Sequence, residues 1–183
     1  IFDTGWPGTI FLHMLVGKIF GYTDFSIRVA DFIFLSMLSG FTWKAISPFG
    51  KKIALLGGAI FPIMILQLGP KEAFQRDSIA ILPIILGLCF INSNKLSGRV
   101  FLKSFIVGLI IGMSGAIKPQ FGIGLPVMIY LLLGNESNEI INFKQKCYNF
   151  FKMFIISVLG FLIISFLPIL LIVMMGGGES FYD

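Results

Sequence analysis

Apolar residues run along this chain in blocks separated by short polar stretches. A helix that crosses the hydrocarbon core of a bilayer needs about 20 mostly apolar residues, with roughly 17 to 25 tolerated. Six blocks come near that length, at 26–44, 53–69, 77–92, 101–117, 119–134 and 152–175. The last, "MFIISVLGFLIISFLPILLIVMM", is the clearest. The others are short or carry a polar residue. Ahead of them, "PGTIFLHMLVGKIFG" is too short and too amphipathic to span: Phe11, Leu15 and Ile19 recur four apart, while Thr9, His13 and Gly17 fall on another face. That pattern predicts a helix lying along the interface.

The pattern therefore predicts an all-α fold, a polytopic transmembrane helical bundle with one interfacial helix. Residues 1–183 form a single membrane domain. Within it, 1–25 make a loop and the interfacial helix, and 26–175 make about six transmembrane helices. The chain opens on "IFDTGW" without a Met and stops just after an apolar run, so it is expected to be a fragment of a longer chain. Its start lacks the charged, apolar and small-residue regions of a signal peptide.

Loop charges give the layout a direction. Lys44, Lys51, Lys52, Lys95, Arg99, Lys103, Lys144, Lys146 and Lys152 fall on one side, and Lys18, Arg28, Lys71, Arg76 and Lys118 on the other. The richer side is cytoplasmic by the positive-inside rule. Most acids lie opposite, with Glu136 and Glu139 alone inside. The start of the chain and the loop "GPKEAFQRDS" are then extracytoplasmic. Trp6, Trp43 and Tyr22 fit an interfacial aromatic belt.

Two blocks stand out. "SFIVGLIIGMSGAI" covers about 21 Å of a core roughly 30 Å thick. Either Phe101 and Leu102 extend it while Lys103 snorkels, or Lys118 sits below the membrane surface. The next, "PQFGIGLPVMIYLLLG", is interrupted by Gly122, Gly124 and Pro126. Such helices are tolerated where they line a cavity, so 101–134 reads either as two spans or as a re-entrant pair. "GNESNEIINFKQKCYNFFK" reads as a polar cytoplasmic connector with room for a short surface helix.

Composition agrees with this picture. The hydrophobic fraction is 56% and the charged fraction 13%, with a mean hydropathy of +0.94, against roughly 25% charged in soluble domains. A net charge of +5 would suit nucleic acid in a soluble protein, but here the basic residues sit between apolar blocks. Nucleic acid is not an expected partner; membrane lipids are. Cys89 and Cys147 lack the spacing of a disulfide or zinc site, and no metal site or cofactor is called for, with metal dependence left open.

Candidate chemistry lies on the extracytoplasmic side. Lys71 and Arg76 have a bland reading, snorkelling to headgroups while Asp77 caps a helix that begins at Ser78. In the functional reading Arg76 joins the backbone amides of that helix start in an anion site. Lys118 before Pro119 is good helix-stop chemistry, yet a cation drawn into the membrane usually faces a cavity or partner, and a polyprenyl phosphate would suit it. Asp31 is three residues after Arg28 and reads as its ion-pair partner. Asp3 is a loop acid, and His13, the one histidine, is a headgroup or substrate contact. Neither GxSxG, a Walker loop nor HExxH is present.

The order of these pieces carries a resemblance. "FDTGWPGTIFLHMLVGKIFGYTDFSIRVADFIFLSML" resembles the stretch after the first extracytoplasmic loop of GT-C glycosyltransferases, the superfamily of protein mannosyltransferases and lipid A aminoarabinose transferases. The matching residues are Pro7, "IFG" at 19–21, and "FSIR" with Arg28. "AFQRDSIAILPIIL" is similar to a later helix entry in some bacterial members, and "GAIKPQFGIGLP" to their "LKPHF" segment. The resemblance implies a GT-C-like core in a bacterial plasma membrane, and transfer of a sugar from a polyprenyl-phosphate donor to a glycan, lipid or protein acceptor on the extracytoplasmic face. Carried over, Asp3 would stand near the acceptor, and Arg76 and Lys118 would contact the donor phosphate, with Lys71 and His13 completing the substrate-binding set. The family's usual catalytic acid lies upstream of the equivalent of Pro7, so Asp3 is either that base or its neighbour.

Other classes remain open on the sequence. A transporter or lipid flippase would also explain broken helices around Lys118, but it predicts an inverted repeat that the two halves do not display. A polysaccharide polymerase or ligase would share the lipid-linked donor, and a non-catalytic scaffold would need none of these residues.

Overall fold

The computed structural model describes residues 7–67, 74, 76–93, 96, 98–136 and 143–174, with positions 76, 136 and 172 described by their backbone. Among the described residues there are seven helices and no strand: α1 Pro7–Phe20, α2 Asp24–Ile46, α3 Lys51–Gln67, α4 Arg76–Ile91, α5 Val100–Ile117, α6 Leu125–Glu136 and α7 Phe143–Met174. Tighter 3-10 turns at Ser47–Phe49 and Pro119–Gly124 precede α3 and α6.

Local chemistry explains the ends. Gly21, at φ 90°, closes α1, with its N–H on the Gly17 carbonyl at 2.8 Å; glycine adopts this left-handed geometry without strain. Thr23 then caps α2, its hydroxyl accepting the Ser26 N–H at 3.2 Å. Lys118 ends α5 in an extended conformation, φ −151° and ψ 104°, as the residue before a proline must usually be.

Three stretches are long and apolar enough to cross a membrane: Asp24–Phe49, Val100–Ile117 and Phe143–Leu171. The molecule is thus an all-helical bundle consistent with a multi-pass membrane protein. Six near-spanning blocks were expected, and a helix occupies each. At 1.5 Å per residue, α3, α4 and α6 cover only about 26, 24 and 18 Å. The last helix starts at Phe143, nine residues before its expected position, because the connector "FKQKCYNFFK" continues it; Gln145 bonds Asn149 one turn on at 3.1 Å.

Side-chain bonds give the helix directions. Ser114 Oγ donates to the Ala80 carbonyl at 2.7 Å and Lys103 Nζ to the Ser93 carbonyl at 3.0 Å, so α4 and α5 are antiparallel. Asn135 Nδ2 donates to Asn92 Oδ1 at 3.2 Å, placing the end of α6 beside the end of α4. Residues 101–134 are therefore an out-and-back pair anchored to both ends of α4, not a hairpin that returns partway. The Pro119–Gly124 turn makes this possible, since a 3-10 segment rises about 2.0 Å per residue. With α6 it covers about 30 Å.

The tightest seam joins α5 to α7. A Cβ at Gly112 would lie 2.7 Å from the Phe161 carbonyl oxygen, and one at Gly160 would lie 2.5 Å from that of Phe105. Only glycine admits backbones this close. Around the seam lies one apolar cluster including Val107, Ile111, Ile129, Leu132 and Met153; a second, including Phe34, Leu38, Phe74, Ala80 and Ile117, fills the end that holds the candidate residues.

α1 keeps part of the two-faced pattern expected of it, with His13 exposed rather than turned inward alongside Thr9 and Gly17. Phe11, Leu15 and Ile19 are exposed, while Thr9 and Gly17 are buried against the rest of the molecule. Thr9 Oγ1 donates to the Ile117 carbonyl at 3.4 Å. A helix with its oily face outward and small residues inward suits a lipid surround.

Candidate functional site

One end of the bundle collects the start of α1, the first turns of α2 and α4, Phe74, and the end of α5. The buried aromatic ring of Phe74 is its centre. His13 of α1 meets it edge-on, with ring centroids 5.4 Å apart, and Phe34 of α2 does the same at 6.1 Å.

Phe74 is held by its backbone as well. Its φ of 56° is unusual for a bulky side chain, and its N–H donates to Asp31 Oδ1 at 2.9 Å. Asp31 is 7% exposed. No ion pair joins it to Arg28 among the described residues, which corrects the expected partnership. The reason is placement: Asp31 projects into the bundle, where a backbone amide from the loop before α4 satisfies it, 43 positions away in sequence.

The expected role of Asp77 also changes. α4 begins at Arg76 rather than Ser78, and the Asp77 carboxylate pairs with the Lys118 ammonium through Oδ1. Lys118 is 28% exposed and Asp77 58%. The cation is thus tied to the start of the neighbouring helix while both partners reach solvent. The Ser114–Ala80 bond one turn deeper fixes the two helices at the same height.

Lys103 departs from one of the two readings left open for its block. It does not snorkel: it is 2% exposed and bonded to the Ser93 carbonyl at the far end of α4. A helix C-terminus offers carbonyls that suit a cation, so the charge is absorbed inside the bundle. α5 consequently runs its full 18 residues with a lysine near each end.

Of the expected site residues, Lys118 and His13 share this end of the molecule, and Arg76 places its backbone there as the first residue of α4. Asp3 and Lys71 lie outside the described residues. His13 Nδ1 is 2.9 Å from the Thr9 carbonyl oxygen. A carbonyl only accepts, so Nδ1 carries the proton and Nε2 of the neutral ring remains an acceptor. The described residues contain no group of three His, Cys, Asp or Glu placed to hold a metal ion.

Chemically, this end offers a solvent-reaching ammonium whose counter-ion can be exchanged, an imidazole acceptor and an aromatic wall. Asp31, Phe74 and Asp77 were not singled out as site residues by the sequence. Their one local signal was the position of Asp31, an acid within an otherwise apolar run. No family model, curated protein or solved structure matches the chain.

Proposed function

We propose that the chain belongs to a membrane glycosyltransferase that moves a sugar from a polyprenyl-phosphate donor to an acceptor on the extracytoplasmic face. The observation that carries this reading is the exchangeable Lys118–Asp77 pair beside the first turn of α4. The resemblance of the sequence motifs to GT-C enzymes supplies the reaction class.

In this mechanism Lys118 exchanges Asp77 for the donor phosphate and, with Arg76, stabilises the negative charge that grows on it as the glycosidic bond breaks. A carboxylate takes the proton of the attacking acceptor group. Asp3, or an acid preceding it, fills that role, and Lys71 and His13 flank the sugar. Asp31 is committed to the Phe74 amide; it holds Phe74 in place and does not act as the base.

The test is sugar transfer in membranes containing the protein, using a panel of labelled polyprenyl-phosphate sugars. Lys118→Ala and Arg76→Ala are expected to lower transfer by at least about tenfold at unchanged expression, the loss of one charge-assisted contact in the transition state. A second reading, a transporter or lipid flippase, draws on the helix break at Pro119–Gly124 directly after Lys118. Saturable uptake into proteoliposomes, with no transfer from any donor in the panel, would establish it instead.

A further inference from the structure

The opposite end of the molecule carries a feature that the glycosyl-transfer reading does not use. α3 packs against α2 through small residues, with Ala54 and Gly58 its buried positions. Ser39 Oγ of α2 donates to the Gly58 carbonyl at 2.7 Å, and a Cβ at Gly58 would lie 3.2 Å from Trp43 Cβ. Phe61 and Ile65 pack partly against the core, and another side of α3 faces outward.

That outward face is ordered along the helix. Positions four apart stack into one stripe, and here the stripe reads Lys52, Leu56, Ile60, Met64, all exposed. It places one ammonium above about 18 Å of apolar surface. Lys51 and Leu55 repeat the arrangement alongside. Lys44, in the last turn of α2, lies at the same end of the antiparallel α2–α3 pair, across the Ser47–Phe49 turn, and Trp43 and Phe49 are exposed beside it.

No Asp or Glu occurs in sequence between Asp31 and Glu72, and among the described residues none of these lysines forms an ion pair. Three cations thus stand over a hydrocarbon track, next to aromatic rings of the kind that settle at headgroup depth. We propose that this face of α2 and α3 binds an anionic phospholipid, its phosphate at Lys44, Lys51 and Lys52 and an acyl chain along Leu56, Ile60 and Met64. The charge complementarity selects the headgroup, and the stripe selects a lipid over a soluble anion.

Trp43 is a built-in reporter, because the chain has one other tryptophan, Trp6. In a Trp6→Phe background, the protein is reconstituted in phosphatidylcholine vesicles containing a brominated lipid that quenches indole on contact. Brominated phosphatidylglycerol is expected to quench Trp43 with at least about fivefold higher apparent affinity than brominated phosphatidylcholine, consistent with the attraction of clustered lysines for anionic lipid. The preference should fall toward unity in high salt and in a Lys44→Gln, Lys51→Gln, Lys52→Gln variant, and should survive replacement of the same residues by Arg. If the Gln variant does not fold, the salt series and the Arg variant decide. Equal quenching by the two lipids would overturn the proposal and make this face ordinary bilayer contact. Quenching by neither would also overturn it, showing that protein covers the face.

Discussion

Lys103 within α5 and Lys118 at its C-terminal cap are two lysines whose fates differ completely. Lys103 is sealed in the bundle at 2% exposure and donates a hydrogen bond to the Ser93 carbonyl; Lys118 is 28% exposed and faces the Asp77 carboxylate. The difference lies in the partner. Withdrawing the ammonium from the Ser93 carbonyl strands a backbone acceptor and leaves a void, whereas a half-exposed carboxylate that loses its cation is taken up by water. The first lysine is therefore part of the scaffold, and the second is free to change partners.

Three substitutions probe that contrast. Lys103→Ala should have the largest effect on stability, a loss of about 3 kcal/mol from the unmet carbonyl and the cavity together. Denaturant unfolding in detergent would measure it, and Lys103→Met should recover the packing share alone. Asp31→Ala comes next, at about 2 kcal/mol for an amide left without its charged acceptor. The same unfolding series would report it, and Asp31→Asn, which keeps an acceptor oxygen, should lie close to wild type. Lys118→Ala should be mildest, below about 1 kcal/mol, as for pairs that reach solvent. A Lys118→Ala loss in the same unfolding series as large as that of Lys103→Ala would erase the distinction between the two lysines.

How much of this was legible depended on distance along the chain. The exposed Phe11, Leu15 and Ile19 row of α1 follows from a four-residue spacing, and the places of the other helices from apolar blocks, so both could be read directly, whereas the spacing grouped the exposed His13 with the buried Thr9 and Gly17. The start of α7 at Phe143 was obscured because lysines and asparagine in "FKQKCYNFFK" read as a loop by polarity, although most of them are acceptable in a helix. The partners of Asp31 and Asp77 were out of reach for a different reason. They lie 43 and 41 positions away, and an adjacent Arg28 offered a plausible local substitute that the fold does not use. Snorkelling of Lys103 was one of two readings the sequence left open, because a lysine near a helix end usually reaches for headgroups, and nothing local announces the carbonyl waiting at the end of α4.

The Pro119–Gly124 turn also bears on how the chain enters a bilayer. α6 alone covers about 18 Å and cannot bridge a core of roughly 30 Å. Six residues wound in the longer-pitched form bring the segment to about 30 Å, and this turn has protein around it. That surround is α5 and α7, the second of which is synthesised after α6. The short α6 thus draws its surroundings partly from a helix that comes after it in the chain, and the last three helices pack as one unit.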